Sequence, residues 1–202
     1  MMPLLALVIA YLLGSIPFGY LLVKWRTGAD VRTAGSGNIG ATNVLRTTGR
    51  VAGIATLLLD IAKGYGAVWI AGSLTDKNEV WMSAAALAVM AGHAYPVFLR
   101  FHGGKAMASF VGAFLRLTPL PLLAVLIVFL GVAGWTRHVS LGSIVAAGTF
   151  PLACWLILQA PWPVLGASII AAVFIIYKHS SNIRRLHSDS EHVFHFGGKT
   201  QP

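Results

Sequence analysis

The sequence predicts an all-α, polytopic integral membrane protein with seven transmembrane helices, its N-terminus outside and its C-terminus in the cytoplasm. Of its 202 residues, 56% are hydrophobic and only 10% are charged, whereas soluble domains carry about 25% charged residues. Its 15 Lys and Arg exceed its 6 Asp and Glu. Because soluble nucleic-acid binders do not consist mostly of apolar runs, this excess indicates cytoplasmic loops beside anionic headgroups and substrates.

Apolar runs of about 20 residues, the length that crosses a bilayer, define the spans. The first, residues 3–23, has no cation before it and Lys24 after it, which is the reverse of a signal peptide and indicates a retained helix. The further clear runs are residues 51–74, 80–99, 117–135 and 139–158, and a last run, 162–177, is short but follows Pro161 and ends at Lys178. Segment 106–116 is short enough to be re-entrant instead. No repeat or long linker divides the chain, so we expect one domain, 1–202.

The distribution of cations decides between these two roles for the short segment. If it crosses, twelve cations lie on one side and only Lys77 and Arg116 on the other, whereas a re-entrant segment gives 8 against 6. Because cytoplasmic loops are enriched in Lys and Arg, we predict seven spans. The twelve are Lys24, Arg26, Arg32, Arg46, Arg50, Arg100, Lys105, Arg137, Lys178, Arg184, Arg185 and Lys199. The tail is expected to become irregular beyond about His192.

The first polar cluster is a glycine-rich loop on the predicted cytoplasmic side. Residues 35–40 read G-S-G-N-I-G, which matches the dinucleotide-binding pattern, but no strand precedes them and no βαβ unit fits among spanning helices. What remains is a set of amide donors followed by Arg46, which is the chemistry of a phosphate site. A merely flexible loop is the alternative. The candidate phosphate ligands here are Gly37, Asn38, Gly40, Thr42 and Asn43.

Two further clusters lie on the same predicted side. Gly103, Gly104 and Lys105 directly precede an apolar segment, so an anion there would meet helix N-terminal amides and an ammonium together. Their spacing is not that of an ATP-binding P-loop, and Lys105 could instead be only a topology-setting cation. His179 and Asn182 follow the last span and share one face if the helix continues.

Several other polar residues have plain structural explanations. Asp60 and Lys63 are three apart in one span and can neutralise each other. Ser143 can hydrogen-bond to its own helix backbone. His93 and His102 lack metal-ligand spacing, so we predict no metal site. Because no Ser/His/Asp set or comparable nucleophile motif is identifiable, any acyl or phosphoryl transfer must use an activated substrate.

Three ordered motifs resemble the bacterial acyl-phosphate:glycerol-3-phosphate acyltransferases, the PlsY family. They are residues 36–43 with Arg46, residues 92–98 leading into Gly103, Gly104 and Lys105, and His179 with Asn182, Ile183, Arg185, Leu186 and Glu191. Residues 13–19 and 139–141 with Ser143 are similar too, so the resemblance spans nearly the whole chain. Ala106 and Asp189 stand where the family usually has glycine. The Ala106 change removes backbone freedom beside Lys105.

The resemblance implies a seven-helix enzyme of the bacterial inner membrane whose active site faces the cytoplasm. It would transfer a fatty acyl group from acyl phosphate to the 1-hydroxyl of glycerol 3-phosphate, giving lysophosphatidic acid and phosphate, the first step of phospholipid synthesis, without a cofactor. The implied catalytic residues are Ser36, Arg46, Lys105, Ser143, His179 and Asn182, and Gly103, Gly104 and Arg185 join the loop residues as phosphate ligands.

The implied partners are glycerol 3-phosphate, long-chain acyl phosphate, membrane lipids and, transiently, the soluble enzyme that makes the acyl phosphate. Nucleic acid is not expected. A transporter of phosphorylated metabolites is the alternative function, and a non-catalytic scaffold is the third. A transporter is expected to show repeat symmetry and interrupted helices at midplane, and only Asp60 and Lys63 point in that direction.

Overall fold

A computed structural model of the protein describes residues 1–191 and Val193, and within them it contains α-helices, two short 3₁₀ turns and no strand. The helices are α1 (Met2–Ser15), α2 (Phe18–Thr27), α3 (Ala41–Thr48), α4 (Arg50–Leu74), α5 (Glu79–Ala94), α6 (Met107–Leu117), α7 (Pro119–Thr136), α8 (Val139–Leu158), α9 (Trp162–Lys178) and α10 (Ser180–His187). The all-α prediction is confirmed for this part of the chain, and the dinucleotide-binding interpretation of residues 35–40 lacks the strand that it requires.

The chain divides into two compact units. Met1–Leu117 forms the first, with α1 to α6, and the second begins at Thr118 and contains α7 to α10. Each unit has its own packing. The expectation of a single domain stays a prediction.

Glycines let α4 and α6 of the first unit pack with their backbones in contact. A Cβ atom added at Gly64 would lie 2.2 Å from the carbonyl oxygen of Ser109, and one at Gly112 would lie 1.9 Å from that of Ile61. Neither position has room for a methyl group. Small residues at helix crossings are typical of membrane bundles, where close van der Waals packing drives association.

Gly64→Ala is therefore expected to destabilise the protein by about 1–3 kcal/mol, the usual cost of inserting a methylene into a packed core. The matched control is Gly66→Ala on the same helix, where an added Cβ meets nothing within 4 Å. We expect the control to be neutral or slightly stabilising, since Ala is the better helix former. Thermal unfolding in detergent measures both, and equal unfolding temperatures for the two variants would contradict the close α4–α6 contact.

A break in the first apolar run separates α1 from α2. The run was predicted as one span over residues 3–23, but α1 ends at Ser15 and α2 begins at Phe18. Pro17 explains the break, because proline lacks an amide donor and disfavours helical geometry in the residue before it. The side chain of Lys63 donates a 2.8 Å hydrogen bond to the carbonyl of Ile16 at this break. The same carbonyl also accepts from the Phe18 amide at 3.2 Å, so the buried cation provides its second hydrogen bond.

Among the residues that the structure describes, five helical stretches are long and apolar enough to cross a membrane: Met2–Thr27, Arg50–Leu74, Glu79–Leu99, Pro119–Thr136 and Val139–Leu158. α9 and α10 make a sixth if the pair, bent by 54°, counts as one span. α6 has 11 residues, or about 16 Å of helix, against a hydrocarbon core of about 30 Å. The prediction of an all-helical protein with several helices able to cross a membrane is confirmed for these residues. The seventh crossing and the orientation of the termini remain proposals.

In the second unit, α7 and α8 form a hairpin, and α9 packs against α8. The observed bounds of α8 are those predicted, Val139–Leu158. The chain bends at His179, where α9 ends and α10 begins. The helix therefore does not continue straight from His179 to Asn182, although both side chains are buried, at 3% and 5% exposure. His192 and Lys199, which entered the predictions for the tail, lie outside the described residues.

Candidate functional site

The glycine-rich loop of the first unit is built around the side chain of Asn43. This residue is 2% exposed, and its Oδ1 accepts a hydrogen bond from the Ser36 amide at 2.9 Å. Its Nδ2 donates to the backbone carbonyls of Val31, Ala34 and Asn38 at 2.8 to 3.2 Å. Asn43 was predicted as a phosphate ligand, but the structure directs its amide group into the loop, where it holds the turn in shape.

Other amides of this loop are also used internally. The Gly40 amide donates to Oδ1 of Asn38 at 2.8 Å, and the Gly37 amide donates to the Ala34 carbonyl at 3.1 Å. Gly35 and Gly37 adopt φ values of +58° and +69°, which side chains other than glycine rarely adopt. The loop is therefore a folded turn and not a merely flexible segment. The predicted phosphate contacts of Gly37, Asn38 and Gly40 stay predictions.

The remaining polar groups of this motif lie towards solvent beside α3. Ser36 and Thr42 are exposed, and Arg46 is half-buried one turn after Thr42 on the same helix. Thr42 belongs to the first turn of α3, whose amides have no partners within the helix. This end of α3 forms a surface suited to a phosphate group, because it offers the Thr42 hydroxyl, helix N-terminal amides and the Arg46 guanidinium.

Gly103 and Gly104 pack tightly against His93. A Cβ at Gly103 would lie 2.2 Å from the His93 carbonyl oxygen, and one at Gly104 would lie 2.2 Å from Nε2 of its ring. The Gly104 amide also donates to the His93 carbonyl at 3.1 Å. Both residues were predicted from their chemistry as phosphate ligands. The structure supplies a second reason for glycine at both positions, namely the lack of space beside His93.

Lys105 lies directly after this turn and is half-buried, with α6 beginning two residues later at Met107. Its position before a helix N-terminus is the predicted one and favours an anion there. Ala106 is buried and adopts a φ of +62°, and Asp189 adopts +50°. These are the two positions where the family pattern has glycine. The left-handed conformation costs a side-chain-bearing residue about 1–2 kcal/mol, which accounts for the family preference.

In the second unit, His179 is held by its own helix. Its Nδ1 lies 2.8 Å from the carbonyl oxygen of Ile175, and since a carbonyl can only accept, Nδ1 is the protonated nitrogen. Nε2 is thus the ring atom whose protonation can change during a reaction. A protonated ring would add positive charge, and a neutral one would offer a base.

Asn182 and Arg185 of α10 are joined by one carboxylate. Glu191 accepts hydrogen bonds from Asn182 Nδ2 at 2.5 Å and Ser140 Oγ at 2.8 Å through Oε1, and from Arg185 Nε at 2.7 Å through Oε2. Burial alone would raise the pKa of Glu191, but the hydrogen bonds from Asn182, Ser140 and Arg185 together lower it. The carboxylate is therefore ionised at neutral pH, and the stability that it contributes is lost only as the pH falls through this lowered pKa.

Ser143 makes the structural contact that the sequence analysis considered. Its hydroxyl donates to the Val139 carbonyl of its own helix at 2.9 Å, and the side chain is 4% exposed. The catalytic assignment of Ser143 rests on the motif alone and stays a prediction. The same holds for Arg185 as a phosphate ligand, because the structure pairs its guanidinium with Glu191.

The sequence model of the glycerol-3-phosphate acyltransferase family matches residues 4–189 of the chain. The chain belongs to this family. The glycerol-3-phosphate acyltransferase of Geobacter sulfurreducens is 46% identical to it over 92% of this chain and 94% of the relative. That of Geotalea daltonii is 49% identical, again over 92% and 94%.

Solved structures agree with this membership in the glycerol-3-phosphate acyltransferase family. A crystal structure of PlsY, an integral membrane glycerol 3-phosphate acyltransferase, in its glycerol 3-phosphate form is 38% identical to this chain, with a TM-score of 0.92 over 96% of both chains. The lysophosphatidic acid form of PlsY is 37% identical, with a TM-score of 0.89 over the same shares. The resemblance to the PlsY family that the motifs indicated is confirmed.

Two contacts between side chains of this protein were not predicted from the sequence. Asp60 and Lys63 form the predicted ion pair at 2.8 Å, but His93 also lies beside it, with Nδ1 3.6 Å from Asp60 Oδ1. Glu191 was recognised only as part of a motif, not as the partner of Ser140. Both contacts join residues 33 to 51 positions apart, and no local pattern marks such pairs. A buried acid in a span was the one available signal.

Proposed function

We propose that this protein transfers a fatty acyl group from acyl phosphate to the 1-hydroxyl of glycerol 3-phosphate, giving 1-acyl-glycerol 3-phosphate and inorganic phosphate. The observation that supports this most is the near full-length match to PlsY, whose solved forms hold the acceptor in one case and lysophosphatidic acid in the other. Lysophosphatidic acid is the acylated form of that acceptor. The family match does not favour the transporter alternative.

The chemistry of the substrates fits the residues present. Acyl phosphate is a mixed anhydride with a good leaving group, so transfer needs positioning and charge stabilisation but no protein nucleophile. The two phosphorylated substrates together bring roughly three to four negative charges to the site. Arg46 and Lys105 supply the compensating charge in this proposal, a protonated His179 adds to it if the proton acceptor is a substrate phosphate, and Ser36, Ser143 and Asn182 complete the catalytic set.

The acceptor hydroxyl must lose a proton during transfer. His179 is one acceptor, and its geometry restricts the role to Nε2, because Nδ1 donates to Ile175. A phosphate oxygen of a substrate is the other. In the first case the reaction depends on a neutral imidazole, and in the second it does not.

We expect the purified protein to form 1-acyl-glycerol 3-phosphate from acyl phosphate and glycerol 3-phosphate without added divalent metal. The control reaction replaces acyl phosphate with acyl-CoA of the same chain length, and we expect much slower turnover because its leaving group is not a phosphate that the cationic residues can hold. Product formation is measured from radiolabelled glycerol 3-phosphate. Comparable rates with both donors, or a strict metal requirement, would refute the proposed donor. Uptake of glycerol 3-phosphate into sealed vesicles without lipid product would instead support the transporter.

The proposed location is the bacterial inner membrane, with seven crossings and the three polar motifs facing the cytoplasm. The proposal rests on the twelve-to-two division of cations and the rule that cytoplasmic loops are rich in Lys and Arg. It requires α6 and its flanking turns to cross in spite of the helix's 11 residues. Long-chain acyl phosphate would then enter from the cytoplasmic leaflet, where the soluble enzyme that makes it can reach the site.

Cysteine labelling in intact cells tests this topology. In a Cys154→Ala background, which removes the one cysteine of the sequence, an impermeant thiol reagent is expected to label Lys77→Cys readily and Ser188→Cys only after the cells are opened. Both positions are exposed, so accessibility depends on their side of the membrane. Ready labelling of Ser188→Cys in intact cells would mean an even number of crossings and would overturn the seven-span proposal.

A further inference from the structure

Three ionisable side chains form a buried network in the first unit. Asp60, Lys63 and His93 are each at most 5% exposed. Asp60 Oδ1 lies 2.8 Å from Lys63 Nζ and 3.6 Å from His93 Nδ1, and Ser109 Oγ lies 3.3 Å from the same ring nitrogen. Asp60 and Lys63 neutralise each other's charge without His93. Charge neutralisation therefore does not explain why a buried histidine lies beside this pair.

The opposite edge of the His93 ring faces the turn that precedes Lys105. A Cβ added at Gly104 would lie 2.2 Å from Nε2 and 2.9 Å from Cδ2 of the ring. The His93 carbonyl accepts from the Gly104 amide at 3.1 Å and blocks any Cβ at Gly103. Both glycines of the turn therefore pack against one histidine. Asp60 and Ser109 contact Nδ1 of its ring, on the edge opposite to Gly104.

We propose that His93 is a positioning residue for Lys105. Its imidazole, oriented by Asp60 and Ser109, supports the Cα of Gly104 and so sets where the next residue presents its ammonium. The inference rests on the proposed function, because Lys105 is taken there to hold a substrate phosphate. Misplacing a positioned group by about 1 Å can lower a rate about 100-fold, so a support without substrate contact can still control catalysis.

A double-mutant cycle on His93 and Gly104 tests the contact directly. Gly104→Ala is expected to lower kcat/KM about 30-fold or more in the wild-type background, because the new methyl collides with the ring and displaces the turn. In the His93→Ala background the same change is expected to cost at most about 3-fold, because the collision partner is gone. Equal factors in the two backgrounds would overturn the proposal and leave Gly104 as a residue that needs to be glycine for substrate binding alone.

Conservative and structural controls separate positioning from folding. His93→Asn keeps a polar atom near the position of Nδ1 but lacks the Nε2 and Cδ2 atoms that face Gly104. It is expected to unfold at a higher temperature than His93→Ala, while both lose about 10- to 100-fold in kcat/KM. Val68→Ala, a buried truncation on α4 eight residues from Asp60, is expected to lower the unfolding temperature with less than about 3-fold loss of kcat/KM. If kcat/KM falls in proportion to the unfolding temperature, with the same relation for the His93 variants and Val68→Ala, then His93 has a purely structural role.

The same cycle measured by thermal unfolding without substrate keeps this inference separate from the proposed function. Absence of acyl transfer by the wild-type protein refutes the proposed function. A non-additive effect of His93→Ala and Gly104→Ala on the unfolding temperature would then still support the contact. Additive effects on both unfolding and activity refute the inference even when the wild-type protein is active.

Discussion

Lys105→Ala is expected to lower kcat/KM for acyl transfer by roughly 10- to 150-fold, because losing a charge-assisted hydrogen bond to a phosphate costs about 1.5–3 kcal/mol. The ammonium stands two residues before α6, where the helix N-terminus adds positive potential. Arg46→Ala is expected to fall in the same range, since Arg46 lies on α3 one turn after the exposed Thr42. Steady-state formation of 1-acyl-glycerol 3-phosphate by purified variants measures both.

Arg116→Ala provides the matched control for Lys105. It removes a cation in the last turn of α6, the short helix that Lys105 precedes, and we expect its activity to stay near that of the wild-type protein. Thermal unfolding of all three variants verifies that they fold. If Lys105→Ala keeps more than about a third of the wild-type kcat/KM, less than about 0.7 kcal/mol is lost. Lys105 would then be a topology residue without a role in binding phosphate.

The helices were predictable to the extent that local composition determines them. α8 begins and ends where its apolar run does, at Val139 and Leu158. The reason is that the same apolar side chains define both the hydropathy run and the length of helix that a membrane can hold. The first span was predicted as continuous, although Pro17 was visible in the sequence. Proline is often tolerated in transmembrane helices when other groups satisfy the freed backbone. Here the Phe18 amide and Lys63 both donate to the Ile16 carbonyl, and Lys63, which is distant in sequence, could not be identified in advance.

The candidate site was predictable in its local motifs and not in its long-range supports. Lys105 could be found because a glycine pair, a cation and a helix start are neighbours in sequence. The internal role of Asn43 could not be predicted. The sequence pattern of a polar residue in a glycine-rich loop is the same whether its side-chain amide faces a ligand or the backbone. The same limit applies to His93, whose carbonyl and ring explain why Gly103 and Gly104 must be glycine. These are packing constraints, and packing follows from the tertiary fold.

Asp60→Leu is expected to destabilise the protein by about 3–5 kcal/mol, because it leaves the ammonium of Lys63 buried without its counter-charge. Lys63 is 5% exposed and contacts Asp60 Oδ1 at 2.8 Å. Since 1 kcal/mol shifts the unfolding temperature by about 2–4 °C for a chain of this size, the loss corresponds to about 6–20 °C. Thermal unfolding in detergent measures it. Asp76→Asn, which changes an exposed acid in the turn between α4 and α5, is the control and should shift stability by less than about 0.5 kcal/mol.

The double variant Asp60→Leu/Lys63→Met separates the cost of an unpaired charge from the value of the pair. Replacing a whole buried ion pair with apolar residues is often neutral, whereas removing one partner is costly. The double variant is therefore expected to be more stable than Asp60→Leu alone. It also removes the hydrogen bond from Lys63 to Ile16 and the carboxylate beside His93, so recovery should stay incomplete. If the double variant is less stable than Asp60→Leu, the hydrogen bond from the ammonium to the Ile16 carbonyl outweighs the cost of burying an unpaired charge. Lys63 would then serve mainly to close the break between α1 and α2.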